Sequence, residues 1–136
     1  MFHGSCLCGA IRYEIDGSLD RLTHCHCSQC RKAHGAAFGS YVRVGQVAFR
    51  FVTGNDDVAS YVSSPGVRRT FCKRCGARLQ FIRESRPDAF WLAAGTLDDD
   101  PGTRPLHHIF VGSKAPWFEI TDGLPQYDQR QPSAAG

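Results

Sequence analysis

Cysteine is the residue type whose spacing in this chain points most directly to chemistry. Three thiols, the central thiols, fall within a short stretch at Cys25, Cys27 and Cys30. Closely spaced thiolates bind metal ions, and zinc is the usual metal of sites made of sulfur alone. Zinc takes four ligands in a tetrahedral arrangement, so three sulfurs leave one position open. The fourth ligand comes either from elsewhere in the chain or from a substrate.

Four further cysteines lie as two outer pairs that are far apart in the sequence. Cys6 and Cys8 lie near the start of the chain, and Cys72 and Cys75 form a Cys-x-x-Cys pair in its second half. Joined, the outer pairs would make a closed four-thiolate zinc site. Spacing does not force this partition, because the last two central thiols could instead join Cys72 and Cys75. In either case the seven thiols predict one closed site and one open site, and therefore two zinc ions per chain.

A zinc ion held by three thiolates is a site that an incoming thiol can enter. Its net negative charge makes it a weaker Lewis acid than zinc held by three histidines. The natural fourth ligand is therefore a substrate sulfur, held as thiolate and placed to attack a small electrophile. This interpretation gives a catalytic role to Cys25, Cys27 and Cys30.

The competing interpretation is a second structural zinc that a histidine closes. The eligible histidines are His24, His26, His34, His107 and His108. Neighbouring residues in a strand face opposite sides of the sheet, so at most one of the adjacent histidines 107 and 108 could reach a shared site.

Composition restricts the kind of protein that this chain can be. It has 136 residues, of which 42% are hydrophobic and 21% charged, and this predicts one globular domain. The net charge of +3 comes from basic and acidic residues that are interspersed, which argues against a nucleic-acid surface. The first residues lack the pattern of a signal peptide, and no apolar run reaches the ~18 residues that cross a bilayer. We therefore expect a cytoplasmic protein with no membrane partner.

Short strands are the elements that must position these thiols. Ile11, Tyr13 and Ile15 alternate with polar residues, which predicts a half-buried strand over residues 9–16. A hairpin is predicted over residues 61–71, around a Ser-Pro-Gly turn, and it runs into the second outer pair. Further strands are predicted over residues 79–82, 90–94 and 107–111.

The central thiols are predicted to border a helical turn. Residues 28–33 contain no glycine or proline, so one helical turn can follow Cys27. Its backbone N–H groups would point at the sulfurs and favour the thiolate form. Gly76, which follows the second outer pair, can take the positive φ that closes a zinc knuckle. Because the sequence shows no long amphipathic pattern, we expect a mainly β fold of short antiparallel strands held together by zinc–thiolate sites.

The cysteines and the residues beside them form a specific set of motifs. The motifs are Gly4-Ser5-Cys6-x-Cys8-Gly9, Cys25-His26-Cys27-Ser28-x-Cys30, Phe71-Cys72-x-x-Cys75-Gly76, Gly95-Thr96-Leu97-Asp98 and Ser113-Lys114-Ala115-Pro116-Trp117. In these motifs the chain resembles the glutathione-dependent formaldehyde-activating enzyme family, from about Gly4 to Tyr127.

The resemblance implies a β-tent fold, with a single zinc-binding domain of this type over residues 1–127. Polar residues then predict a frayed tail over residues 128–136. The resemblance also implies a structural zinc on the outer pairs and a labile zinc on the central thiols. The implied activity joins glutathione to formaldehyde to give S-(hydroxymethyl)glutathione and is classed as a carbon–sulfur lyase activity. We therefore expect a small thiol and a small aldehyde as substrates.

Several features leave the substrate open. The family also includes the centromere protein V type, which binds microtubules and DNA. The alternative function is therefore a non-catalytic zinc-binding module for a protein or nucleic-acid partner. His34 stands where many members have a small or hydroxyl residue, and it could narrow the pocket or bind the second zinc. Arg31 and Lys32 follow the central thiols and are candidate cations for the carboxylates of glutathione. The sequence assigns no role to the three aspartates at residues 98–100.

Overall fold

The structure is a computed structural model that describes residues 1–131, and it is mainly β, as the sequence predicts. The described residues form one α-helix, α1 (Ser28–His34), which is too short to span a membrane. The strands are β1 (Phe2–Ser5), β2 (Arg12–Ile15), β3 (Leu22–Cys25), β4 (Gly39–Gly45), β5 (Phe49–Thr53), β6 (Val58–Ser64), β7 (Val67–Cys72), β8 (Arg78–Arg83), β9 (Ala89–Ala93) and β10 (Pro105–Ile109).

The strands form two sheets. A three-stranded sheet has the order β1-β2-β5, and a seven-stranded sheet has the order β10-β3-β4-β9-β8-β7-β6. Neighbouring strands are antiparallel except at one edge of the larger sheet, where β10 lies parallel to β3. The predicted hairpin over residues 61–71 is confirmed as β6 and β7, which pair across the turn at Pro65 and Gly66.

The main core lies where side chains of the two sheets meet. The predicted alternation in β2 is confirmed, because Ile11, Tyr13 and Ile15 are at most 1% exposed. Each large apolar side chain buried in this way stabilises the fold by about 1.5–3 kcal/mol. The residues of the larger sheet that pack in the same cluster are Val42, Val44, Leu79, Phe90 and Leu92.

A glycine directly after β5 allows the chain to pass close to the segment before β2, the neighbouring strand in the three-stranded sheet. Gly54 has φ +77°, and an added Cβ there would lie 2.2 Å from the carbonyl oxygen of Ala10. Because that oxygen belongs to the backbone, it cannot rotate away. We expect Gly54→Ala to lower the free energy of unfolding by about 3 kcal/mol, the sum of left-handed backbone strain and overpacking. Urea unfolding of the variant and the parent protein measures this loss.

Gly17→Ala is the matched control for that substitution. Gly17 has φ +83°, but no atom lies within 4 Å of an added Cβ. This variant carries the backbone strain without the clash, so we expect a loss of about 1–2 kcal/mol. Equal losses in the two variants would contradict a role for the close approach at Gly54.

The last described residues lie against β10. Strand β10 ends at Ile109, two residues earlier than predicted, because Phe110 adopts φ 56° and a 3-10 turn follows. The backbone N–H groups of Phe110 and Gly112 donate to the carbonyls of Gln129 and Asp128, at 2.9 and 3.2 Å. The segment that is hydrogen-bonded to this part of the fold therefore extends past residue 127 into the predicted tail. Residues 132–136 of that tail lie outside the described residues.

Candidate metal centres

The two outer cysteine pairs meet where the two sheets are joined. Cys6 and Cys8 lie in the turn between β1 and β2, while Cys72 ends β7 and Cys75 lies in the turn before β8. Their four sulfurs lie within 4.8 Å of one another. The Sγ atoms of Cys6 and Cys8 are 3.6 Å apart, and those of Cys8 and Cys72 are 3.8 Å apart. Tetrahedral zinc with Zn–S bonds of ~2.3 Å separates sulfurs by about 3.8 Å, so this donor set fits zinc.

Backbone groups hold these sulfurs in place. The N–H of Ile11 donates to the Sγ of Cys6 at 3.3 Å. Gly76 has φ +80°, as predicted for a zinc knuckle, and its N–H donates to the carbonyl of Cys72 at 2.8 Å. The backbone N–H of Ala77 lowers the pKa of Cys75 to about 6, so its thiolate form is favoured at neutral pH. The local backbone is thus arranged for anionic sulfur.

The central thiols form a second cluster, which lies around the start of α1. Cys25 ends β3, Cys27 is the N-cap of α1 and Cys30 lies in its first turn, with the three sulfurs within 4.8 Å of one another. The predicted helical turn is confirmed, and the N–H of Cys30 donates to the Sγ of Cys27 at 3.2 Å. Hydrogen bonds from the thiols of Cys25 and Cys30 lower the pKa of Cys27, which makes it the first of the three to ionise.

Histidine does not complete this cluster within residues 1–131, where only the three sulfurs lie within 4.8 Å of one another. The ring of His26 is turned to His108, with Nε2 to Nδ1 at 2.8 Å. His107 lines the cavity described below, whereas His108 is 1% exposed, as expected for neighbours in a strand. In the described structure the central cluster is therefore a three-sulfur site.

His34 contacts the cluster through a tyrosine. The Nε2 of His34 lies 2.8 Å from the hydroxyl of Tyr41, and that hydroxyl donates to the Sγ of Cys30 at 3.6 Å. Burial lowers the pKa of His34 to about 4, so the ring is neutral at pH 7. In this structure the residue that the sequence flagged as a candidate ligand is therefore linked to Cys30 through the hydroxyl of Tyr41.

Arg69 places a buried positive charge beside the central thiols. It is 6% exposed, and its guanidinium donates to the Sγ of Cys30 at 3.7 Å and to the Tyr41 hydroxyl at 3.1 Å. It also lies over the ring of Phe81, 4.8 Å from the centroid. Sequence reasoning missed this residue. The available signal was a pair of arginines in the predicted strand before Cys72, one of which had to face inward.

A cavity of about 350 Å³ opens over the central thiols. This volume lies within the range of about 300–1,000 Å³ that is typical of small-molecule sites. Its walls combine apolar side chains, among them Phe81, Trp91 and Ile109, with Tyr41 and the three cysteines of the central cluster. The central thiols are therefore accessible to a small molecule in surroundings that are partly shielded from water.

Four arginines line the same cavity. They are Arg21, Arg69, Arg83 and Arg130. The cations predicted from the sequence, Arg31 and Lys32, are not among the lining residues. The arginines that line the cavity lie on other strands and loops and in the C-terminal segment, and the role of Arg31 and Lys32 stays a prediction.

The three aspartates at residues 98–100 lie outside the cavity wall. Asp98 accepts a hydrogen bond from Ser5 at 3.0 Å, and Asp99 lies 3.0 Å from the Nδ1 of His3. Asp100 pairs with Arg104 at 2.9 Å. Two of these contacts attach the loop to β1, and none of the three aspartates lines the cavity at the thiols.

Comparison with known proteins adds to this geometry. A family model described as glutathione-dependent formaldehyde-activating enzyme matches residues 1–113. The chain belongs to this family. The matched residues include both thiol clusters, whereas the C-terminal segment that supplies Arg130 lies beyond them.

The chain is also similar to a curated protein and to a protein of known crystal structure. An uncharacterized lyase of Schizosaccharomyces pombe is 30% identical over 93 residues, which are 68% of this chain and 66% of that protein. A crystal structure of a Rhodobacter sphaeroides protein has a TM-score of 0.59 and 24% sequence identity, and the match covers 76% of this chain and 97% of that chain. At 24% identity, the similarity to the Rhodobacter sphaeroides protein shows a shared fold.

Proposed function

We propose that this family member is a zinc-dependent enzyme of the carbon–sulfur lyase type, which joins a small thiol to a small aldehyde. The substrate pair that we propose is glutathione and formaldehyde, with S-(hydroxymethyl)glutathione as the product. The single observation that carries the proposal is the position of three mutually close thiols in the wall of an arginine-lined cavity. A purely structural zinc site needs neither an open position nor a cavity beside it.

The two thiol clusters have the donor sets that zinc requires, and we propose one zinc ion at each. The outer pairs offer four sulfurs and the central cluster three. Zinc bound at the central cluster would supply a coordination position at which a substrate thiol loses its proton at neutral pH. The central sulfurs differ from the outer ones in facing a cavity, and this supports a labile site there.

The residues of the cavity can bind and orient the thiol substrate. Glutathione carries two carboxylates, and Arg21, Arg83 and Arg130, which line the cavity, are the residues that we propose pair with them. The rings of Phe81 and Trp91 exclude water, which strengthens those ion pairs. These contacts would bring the substrate sulfur to the central cluster. Arg69, which already donates to the Sγ of Cys30, would not be needed to bind the carboxylates.

The bond-forming step requires no oxidant or reductant. The sulfur attacks the aldehyde carbon, a C–S bond forms, and the carbonyl π electrons move to oxygen. The oxygen then takes up one proton, which balances the proton lost by the thiol. Burial raises the pKa of Tyr41 above its usual range, so its hydroxyl remains a hydrogen-bond donor to the Sγ of Cys30.

Cys27→Ser tests this proposal through metal content and rate together. In anaerobically purified parent protein we expect two zinc ions per chain, falling to one after dialysis against millimolar glutathione while the fold stays intact. The variant should begin with one zinc ion and lose none. Exchange NMR should show that the parent protein accelerates adduct formation between glutathione and formaldehyde, and that this acceleration disappears in the variant.

Two results would contradict the proposal. Retention of both zinc ions in the presence of glutathione would make the central cluster a closed structural site. Equal adduct rates with and without the parent protein would remove the enzymatic function, and a zinc-binding module would then be the better description. Circular dichroism of the Cys27→Ser variant controls for loss of the fold.

A further inference from the structure

Two histidines and an aspartate form a third cluster of metal-ligating groups, separate from the thiols. The residues are His24 on β3, His108 on β10 and Asp122 in the segment that follows. One ligand atom from each lies within 4.8 Å of the other two. The neighbour His107 faces the cavity, so His108, on the opposite side of β10, faces away from it. The cluster therefore belongs to neither the thiol site nor its cavity.

The second nitrogen of each imidazole has its own hydrogen-bond partner. The Nδ1 of His24 lies 2.8 Å from the hydroxyl of Ser40, and the Nδ1 of His108 lies 2.8 Å from the Nε2 of His26. These contacts leave the two Nε2 atoms for the cluster. Histidines that bind metal are held in this way, because a partner on the other nitrogen fixes the tautomer and the orientation of the ring.

The carboxylate is oriented as well. The Oδ1 of Asp122 accepts from the backbone N–H of Leu124 at 3.0 Å, and its Oδ2 lies 2.7 Å from the Nε2 of His108. A bound metal ion would replace the proton that the Oδ2 of Asp122 and the Nε2 of His108 share. Asp122 is 44% exposed whereas His108 is 1% exposed, so one side of the cluster is open to solvent. Water can enter from that side and complete the coordination.

From these contacts we infer that His24, His108 and Asp122 form a third metal site, which takes a divalent transition-metal ion such as zinc or cobalt. Two imidazoles and one carboxylate, with the remaining positions free for water, are a donor set that suits such ions. His24 and His108 lie within the residues that the family model matches, whereas Asp122, in the C-terminal segment, lies beyond them. Bound metal would fasten that segment and β10 to β3, the strand that ends at Cys25.

The test counts metal in the full-length protein after its thiols have been saturated with zinc. The zinc-loaded protein is titrated with Co²⁺ by calorimetry, and zinc plus cobalt per chain is then measured. We expect one metal ion per chain in addition to those that the thiol clusters bind. Cobalt at this site should not show the intense near-ultraviolet absorption of cobalt bound to thiolate. Asp122→Ala and His24→Ala should each weaken this binding by at least about tenfold, as loss of a ligand requires.

Asp99→Ala is the matched control, because Asp99 is also an exposed carboxylate that contacts a histidine, His3, but among residues 1–131 it belongs to no group of three metal-ligating side chains. This variant should bind the additional ion as the parent does. The inference is overturned if the parent takes up no metal beyond its thiol clusters, or if Asp122→Ala binds cobalt as tightly as the parent. Asp122 lies at the surface, so its replacement leaves the fold available for measurement.

Discussion

Cys72→Ala is expected to leave the protein without a cooperative folding transition. Cys72 is fully buried, and its sulfur belongs to the four-thiol cluster that joins the β1–β2 turn to the end of β7. Structural zinc in small peptides contributes about 10–16 kcal/mol at neutral pH. The net stability of a whole domain is only about 5–15 kcal/mol. Loss of this one sulfur therefore removes a free energy as large as the net stability of the whole fold.

Thermal melts followed by circular dichroism and by tryptophan fluorescence measure this effect. Cys27→Ser is the control, since it also removes one sulfur but from the cluster that faces the cavity. We expect Cys27→Ser to melt cooperatively and Cys72→Ala to show no transition. A near-native, cooperative melt of Cys72→Ala would contradict the structural role of the outer pairs.

Arg69→Met is expected to weaken metal binding at the central thiols by about 10–100-fold, the usual effect of losing a partner that contacts a ligand. The guanidinium of Arg69 donates to the Sγ of Cys30 from a position that is almost fully buried. Three thiolates around one divalent ion leave a net negative charge, and a buried cation offsets it where water cannot. Methionine keeps the bulk of the side chain but provides neither the charge nor the hydrogen bonds.

Competition with a chromophoric chelator measures the zinc affinity of this variant. Arg83→Met is the matched control, because Arg83 lines the same cavity and no hydrogen bond joins it to a central sulfur among the described contacts. We expect Arg83→Met to keep the zinc affinity and to bind glutathione more weakly. Unchanged zinc affinity in Arg69→Met would show that the thiolates do not depend on this charge.

The sequence was sufficient to predict the parts of the fold that depend on local pattern. Alternation at Ile11, Tyr13 and Ile15 predicted a strand whose inward side chains are buried, and the turn at Gly76 was predicted from its type and position. The helical turn after Cys27 followed from the absence of helix breakers. Each of these predictions rests on residues that are close together in the chain.

The parts that depend on distant residues were not predictable in the same way. Spacing left open which pairs join Cys72 and Cys75, because every Cys-x-x-Cys pair offers the same half-site. The arginines of the cavity come from segments that meet only after the larger sheet forms, so their spacing in the sequence did not reveal them. The contact between His108 and Asp122 likewise depends on the C-terminal segment returning to β10.

That returning segment also has a consequence for association between molecules. The N–H of His108 donates to the carbonyl of Pro125 at 2.9 Å, and the N–H of Tyr127 donates to the carbonyl of His108 at 3.0 Å. These bonds occupy backbone groups along the outer side of β10, at one end of the larger sheet. Unpaired groups in that position are a template for strand addition and aggregation. The segment beyond the matched residues therefore protects the β10 edge of this sheet from the addition of a strand of another molecule.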